Sequence, residues 1–517
     1  MRPSSKFATG VVLFALAGYI TKVISFAYRV PYQNIAGDFG LYAYQTVYPF
    51  AAIVASLGMY AMPVVIAKIG VGANGPKRKL EVLWGSFYIL LGLAVVLVIG
   101  MWSLAPLLAG WLGDPNLSST LRVISLSYLL MPALAVLRGS FQSIDDLKPS
   151  ALSQVLENLV RVTVLLAVLV IGVHLGLDAY ALSRYAYAAT LVGGIVAIVV
   201  LSVWAKGLRL RLVPVQKVTL QAAFRVIVTT GFAVGFASLG ILWMQLVDSF
   251  TIVNLMGGDF EAKVSKGVFD RGYPLVQFAI LFTTALGMAN VPSLVRHYRA
   301  RQIEATASGL RSMIRVTTAV AAAATIGLMG VMLPLNVALF ENADGTFALV
   351  LLSTSTFPAS LAVASMTCLQ AIDRERTAAF GMLVAIGMKL VVNLMLVPNY
   401  GIEGAAIGTS VAFLGMAAFN FNRLDRVIPL GMLRFKHYGL LVKTVTPMGL
   451  VLFGLNVLAL DRMTHRLDAF VWLGGMVLIG AGLYAWRLWS ERVLSIGEWE
   501  MIPLGNRFVN LMDKKEN

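Results

Sequence analysis

Lys22, Arg29 and Arg271 stand inside stretches otherwise apolar enough for a lipid bilayer. A charge at bilayer depth costs roughly 3 kcal/mol or more unless it is paired or faces water, so each is a candidate functional group. Gly18, Lys22, Ser25 and Arg29 follow the spacing i, i+4, i+7, i+11, which places them on one helix face. A small and cationic stripe of this kind must line a cavity or a helix contact. Asp270 precedes Arg271, Pro274 and Gln277 follow it, and Asp248 lies one span earlier. Three cations in a low-dielectric cavity suit a diphosphate: arginine offers a planar fork and lysine a mobile point charge. The plainer alternative is that Arg271 pairs with Asp270 or Asp248 and fixes helices, while Arg29 anchors at the interface. Arg161 and Lys389 are weaker candidates. Glu157 sits one turn before Arg161, so an i, i+4 ion pair is expected there, whereas Lys389 has no acidic neighbour on its own helix.

These residues need membrane helices to hold them. Of 517 residues, 58% are hydrophobic and 13% charged, with a mean hydropathy of +0.80. A soluble chain carries roughly a quarter charged residues. Apolar runs place spans near 7–28, 41–67, 82–108, 119–141, 150–173, 179–204 and 221–254. Seven more fall near 267–294, 311–338, 346–371, 377–398, 402–421, 439–460 and 467–489. The fold class is therefore an all-α polytopic membrane protein of about fourteen transmembrane helices. The net charge of +16 is a topology signal and does not point to nucleic acid. Basic clusters recur in alternate loops: Lys77-Arg78-Lys79, Lys206/Arg209/Arg211/Lys217, Arg296/Arg299/Arg301, Arg423/Arg426/Arg434/Lys436 and the tail Lys514-Lys515. Both termini are expected in the cytoplasm, with the protein in the cytoplasmic membrane. Ala15-Leu16-Ala17 resembles a signal-peptidase site, but cleavage there would remove a helix that the internal repeat requires.

The repeat is the strongest organisational signal. Gln142-Ser143-Ile144-Asp145 recurs as Gln370-Ala371-Ile372-Asp373, and the same register places Arg161 on Lys389. Pro132-Ala133 parallels Pro358-Ala359, Gly176-Leu177-Asp178 parallels Gly401-Ile402-Glu403, and Tyr48-Pro49 parallels Tyr273-Pro274. Two six-helix lobes in tandem are expected, at 1–205 and 206–428, then helices 13–14 at 429–490 and a cytoplasmic tail at 491–517. Six spans are an even number, so the copies share orientation, as in carriers built from parallel repeats. Pro49, Pro63, Pro132, Pro274, Pro292 and Pro358 fall inside expected spans and should bend them.

Catalytic parts do not emerge. There is no Walker-type glycine loop, no His beside a Ser or Cys in a recognisable arrangement, and no metal-ligand spacing among His174, His297, His437 and His465. The single Cys368 forms no internal disulfide. No enzyme activity and no cofactor are expected. A coupling ion of unassigned identity is the one addition, with Asp248, Asp270 and Asn393 as the candidate counter-charge or ion-site residues.

Lys22-Val-Ile-Ser-Phe-Ala-Tyr28-Arg29-Val-Pro31, then Gly37-Asp38-Phe-Gly40-Leu-Tyr42, resembles the opening of the polysaccharide-biosynthesis flippases. These belong to the multidrug/oligosaccharidyl-lipid/polysaccharide exporter superfamily. Asp270-Arg271-Gly-Tyr-Pro274-Leu-Val-Gln277 and Lys389-x-x-x-Asn393-x-x-Leu396-Val-Pro398-Asn-Tyr-Gly401 extend the resemblance, which runs to Ile502-Pro503-Leu504-Gly505. It is greatest to the branch holding stage V sporulation protein B and the lipid II flippases of Gram-positive bacteria. The resemblance implies two lobes around a V-shaped cavity, a lipid-tail groove at helices 13–14, and substrate-binding cations at Lys22, Arg29 and Arg271. A cation carried on the second span by some lipid II flippases has no clear match here. The implied activity is translocation of an undecaprenyl-diphosphate-linked saccharide by alternating access, in peptidoglycan, other polysaccharide or spore-envelope synthesis. Its partners would be that substrate, membrane lipids and cell-wall synthesis enzymes. A cation-coupled drug or metabolite exporter of the same superfamily would favour carboxylates in the cavity, and a non-transporting scaffold gains nothing from buried charge.

Overall fold

The computed structural model describes residues 5–73, 75–208, 211–231, 236, 239–288, 291–429, 435–459, 463 and 465–499. Arg209, Arg434, the tail pair Lys514-Lys515 and the Ile502–Gly505 motif lie outside the described residues. The described residues form helices and connecting turns, with no strand among them. A bilayer leaves no water to satisfy exposed backbone groups, so spanning segments must close their hydrogen bonds internally.

The chain separates into two compact units, Met1–Gly267 and Val268–Asn517. The first contains α1 (Ser5–Ala27), α2 (Arg29–Gln45), α3 (Tyr48–Ser56), α4 (Met62–Val71), α5 (Pro76–Trp111), α6 (Ser118–Leu126), α7 (Met131–Gln142), α8 (Lys148–His174) and α9 (Ala179–Ala205). It continues through α10 (Lys217–Val226) and α11 (Gly240–Leu255) into α12 (Phe260–Asp270), which crosses the division. Helix α8 packs against α9 and α1, α4 against α7, α10 against α5, and α11 against α3. The division by packing thus falls later than the repeat boundary expected near residue 206.

The second unit holds α13 (Gly272–Met288), α14 (Val291–Arg299), α15 (Ile303–Phe340), α16 (Thr346–Ser353), α17 (Thr356–Ala371) and α18 (Glu375–Asp425). It ends with α19 (Phe435–Ala459), α20 (Arg466–Ser490) and the short α21 (Ile496–Trp499). Helix α15 is its axis, touching α13, α14, α16, α17, α19 and α20. The expected appended pair is α19–α20. It packs on α15 through Met448, Leu452, Met476 and Tyr484, whose hydroxyl donates to the Ala319 carbonyl at 2.7 Å.

Ten helices among the described residues are long and apolar enough to cross a membrane. The expected count of fourteen is not matched one for one. Helix α18 runs 51 residues, about 75 Å at 1.5 Å per residue, far more than the ~30 Å hydrocarbon core. Gly401 breaks it, with φ 53°, and so divides the expected eleventh and twelfth spans. Gly176, its repeat partner, has φ 70° between α8 and α9. The expected seventh span holds α10 and α11, with 232–235, 237 and 238 outside the described residues, and the expected eighth holds α13, after the turn at Arg271.

The repeat is visible in backbone geometry. Asp145 and Asp373 take left-handed conformations at φ 59° and 58°. Their amides donate to the Gln142 and Gln370 carbonyls at 3.1 and 3.2 Å, and the next amides reach back to Phe141 and Leu369. The two four-residue motifs are thus the same helix C-cap. Pro63, Pro132 and Pro358 fall inside single membrane-length helices, Tyr48–Val71, Pro115–Gln142 and Thr346–Ala371. Pro63 follows a π-helical turn at Leu57–Ala61, Pro132 a 3-10 turn at Ser127–Leu130 and Pro358 a turn at 354–355, so the helix is distorted there without ending. Pro274 follows the turn at Arg271, and Pro49 and Pro292 stand second in α3 and α14. Large apolar side chains such as Val96, Leu450 and Leu478 stay exposed, as a lipid-facing surface requires.

Candidate functional site

In the first unit a turn at Tyr28 separates α1 from α2 and delivers Arg29 into a nest of tyrosines. Arg29 is 4% exposed, and its guanidinium lies 4.7 Å from the centre of the Tyr48 ring. Tyr28 and Tyr44 share a hydroxyl hydrogen bond of 3.0 Å. Tyr44 stacks on Tyr187 at 4.6 Å and tilts against Tyr32 at 4.7 Å. The Tyr187 hydroxyl donates to the Tyr44 carbonyl at 2.7 Å, tying α9 to α2. Two polar atoms in this nest, Arg29 Nε and the Tyr32 hydroxyl, are buried without a hydrogen-bond partner.

Arg161 approaches from α8, half-buried. Its Nη2 donates to Asn158 Oδ1 at 2.8 Å and to Ser25 Oγ at 3.2 Å, and its guanidinium sits 5.5 Å from the Tyr28 ring centre. The expected Glu157–Arg161 pair is corrected. Glu157 instead accepts from Arg138 at 2.6 Å, and Arg138 is fully buried and also donates to Ser153. An arginine brought in by α7 competes better for the carboxylate than a neighbour on the same helix. Neither Arg29 nor Arg161 forms an ion pair among the described residues. Lys22 lies on the same stripe as Ser25 and is exposed. Ring faces can hold guanidinium groups by their quadrupoles, but they carry no net charge. The cluster therefore keeps its positive charge. Asp248 is fully buried in α11 of this unit.

A second polar knot in the first unit surrounds Asp114, which is fully buried. It accepts from Tyr180 at 2.6 Å and Tyr42 at 3.2 Å, and it pairs with Lys263 of α12 at 3.1 Å.

In the second unit Arg271 occupies the break between α12 and α13 and is 1% exposed. Its Nη1 donates to Asn342 Oδ1 at 2.7 Å and Asn336 Oδ1 at 3.2 Å, and its guanidinium lies 5.2 Å from the Phe340 ring centre. Asn336 in turn donates to the Asp344 carbonyl and to Thr346. Asp270 is buried beside Arg271, and Gln277 is half-buried further along α13. Lys389 is fully buried and donates to the Ala405 carbonyl and Thr409 Oγ1, both at 2.7 Å. It bridges the two halves of α18. Asn393 lies one turn on, so close to Gly408 that an added Cβ would sit 2.5 Å from its Oδ1. The repeat aligns Arg161 with Lys389, yet Arg161 turns toward α1 while Lys389 stays within its own hairpin.

The tyrosines, Asn158, Asn336 and Asn342 escape sequence reasoning. Tyr28 and Tyr32 do stand at i, i+4 with Arg29 between them, which is the one signal that could have found them. Among the described residues no group of three His, Cys, Asp or Glu side chains converges as metal ligands would.

Comparison with known proteins bears on the family and the fold. Residues 7–297 match the family described as polysaccharide biosynthesis protein. The membrane protein YabM of Bacillus subtilis is 31% identical, over 98% of this chain and 97% of its own length. The lipid II flippase MurJ of the same organism is 22% identical, over 82% and 83%. A solved lipid II flippase MurJ in an inward closed conformation superposes with a TM-score of 0.71 at 14% identity, covering 92% of this chain and 98% of that one.

Proposed function

The chain belongs to the polysaccharide biosynthesis protein family, in the flippase-like branch of the multidrug/oligosaccharidyl-lipid/polysaccharide exporter superfamily, and from that premise we propose its cargo. The cargo is an undecaprenyl-diphosphate-linked saccharide, a peptidoglycan or related envelope precursor. It moves from the inner to the outer leaflet of the cytoplasmic membrane by alternating access, with both termini in the cytoplasm. One observation carries the reading: two guanidinium groups, Arg29 and Arg161, sit among tyrosines, and among the described residues no carboxylate pairs with either. Phosphate oxygens would supply the missing acceptors, including one for Arg29 Nε, and the exposed Lys22 would meet the headgroup first. A cationic drug would meet repulsion at such a cluster, which disfavours the exporter reading.

Arg271, taken within its own unit, is a further proposed phosphate ligand that Asn336 and Asn342 hold in place. Asp248 and Asn393 remain the proposed sites for a coupling ion, although Lys389 already places positive charge beside Asn393. The tandem repeat 1–205 and 206–428 is the proposed evolutionary unit, and cell-wall synthesis enzymes are the proposed neighbours. Complementation tests the cargo directly. Cells depleted of their essential lipid II flippase should grow when this chain is expressed. Purified protein in liposomes should move a fluorescent undecaprenyl-diphosphate saccharide to the far leaflet. Movement of a cationic dye but not of the lipid-linked saccharide would overturn the assignment.

A further inference from the structure

At one end of the second unit, α17 and both halves of α18 enclose a groove of about 470 Å³ lined by Arg374, Arg376, Arg423 and Arg426. Phe380 and Phe419 form its apolar wall, their rings 5.3 Å apart, and the Arg423 guanidinium lies 5.2 Å from the Phe419 ring centre. All four arginines are exposed, and none forms an ion pair among the described residues. Asp373, Glu375 and Asp425 are close in sequence but do not line the groove.

Positive charge at a helix end could serve topology alone, and the repeat supplies a control for that. Aligning Gln142–Asp145 with Gln370–Asp373 puts Asp146 and Lys148 opposite Arg374 and Arg376. Aligning Gly176–Asp178 with Gly401–Glu403 puts Ile198 and Leu201 opposite Arg423 and Arg426. The first copy folds with one cation where the second has four, so the fold does not require them. The wall also continues in a telling direction. From Phe380, exposed apolar side chains run along α18 through Leu383, Leu390, Val391, Leu394 and Met395. That spacing is one helical stripe facing lipid. Cationic forks above an apolar stripe match an anionic headgroup above acyl chains.

We propose that this groove binds an anionic diacyl phospholipid, its phosphate held by Arg374, Arg376, Arg423 and Arg426 and its chains laid along the Phe380–Met395 stripe. The site is separate from the tyrosine nest and does not depend on which cargo the protein moves. Basic pockets between helix ends at a membrane surface recognise lipid phosphates in this way, and the planar guanidinium takes two oxygens at once.

The full-length protein in neutral detergent is titrated with dioleoylphosphatidylglycerol or dioleoylphosphatidylcholine, and bound lipid is counted by native mass spectrometry. Phosphatidylglycerol should bind at about tenfold lower concentration or less, the scale of a charge-assisted contact. The variant carrying Arg374→Gln, Arg376→Gln, Arg423→Gln and Arg426→Gln should lose that preference. A Lys77→Gln, Lys79→Gln variant, altered at a different basic cluster, should keep it. If the four-fold variant does not survive extraction, Arg423→Lys with Arg426→Lys carries the test, and its preference should fall. Retained preference in the groove variants, equal binding of the two lipids by the unaltered chain, or loss in the Lys77/Lys79 variant would each overturn the proposal. Full displacement by glycerol 3-phosphate at equal concentration would identify a free-anion site and overturn the lipid as occupant.

Discussion

Replacing Arg29 by methionine should stabilise the empty protein while abolishing transport. The side chain is 4% exposed, and among the described residues its Nε has no acceptor and no carboxylate pairs with it. Leaving one buried donor unsatisfied costs about 1–3 kcal/mol, and the desolvated charge adds about several more. Against this stands the contact with Tyr48, worth about 2 kcal/mol at most. Methionine has a similar length and fills an irregular space well. Arg29→Met should therefore leave the substrate-free protein more stable by at least about 2 kcal/mol, the two penalties less the Tyr48 contact. Loss of one charge-assisted phosphate contact should weaken headgroup binding by about ten- to a hundredfold. Unfolding of the purified protein in detergent, followed by intrinsic fluorescence, measures the first effect. The liposome assay measures the second. An arginine that serves structure would behave oppositely, so a destabilised Arg29→Met protein whose transport falls only in step with its folded fraction would refute the reasoning.

Four further outcomes follow from particular contacts. Glu157→Ala should cost about 3–5 kcal/mol by stranding the fully buried Arg138, and adding Arg138→Leu should restore most of it in the same unfolding measurement. Asp114→Asn should destabilise by about 2–3 kcal/mol, because Lys263 loses its partner while two tyrosine hydroxyls keep an acceptor. Lys263→Gln should then recover stability in the double variant. Gly408→Ala should cost about 1–3 kcal/mol by forcing Asn393 aside, whereas Gly387→Ala, with no atom within 4 Å of the new Cβ, should be neutral or better in thermal melts. Cysteines at Lys217 and Glu261 in a Cys368→Ala background should differ in intact cells: an impermeant thiol reagent should label position 261 and spare 217, and labelling of 217 would reverse the proposed topology.

Apolar run length and basic loop clusters already specify an all-helical membrane protein, because both are local properties that a bilayer imposes residue by residue. The sequence also contained the repeat. Gln142–Asp145 and Gln370–Asp373 recur because each must make the same left-handed cap, a requirement written into four adjacent residues. Lys22, Arg29, Arg271 and Lys389 were legible as unusual charges for the same local reason. What each charge does was not legible. Glu157 stands one turn from Arg161, yet it belongs to Arg138, since a helix arriving from elsewhere in the chain can offer a shorter and drier contact. Tyr44, Tyr48 and Tyr187 look like ordinary apolar-span aromatics until folding gathers them around Arg29 and Arg161. The prolines announced bends, but the kind of distortion, a π turn before Pro63 and a 3-10 turn before Pro132, appears only in the folded helices. Composition fixes which segments leave water, whereas partners for a buried charge are chosen among residues far apart in sequence, and that choice exists only once the helices have packed.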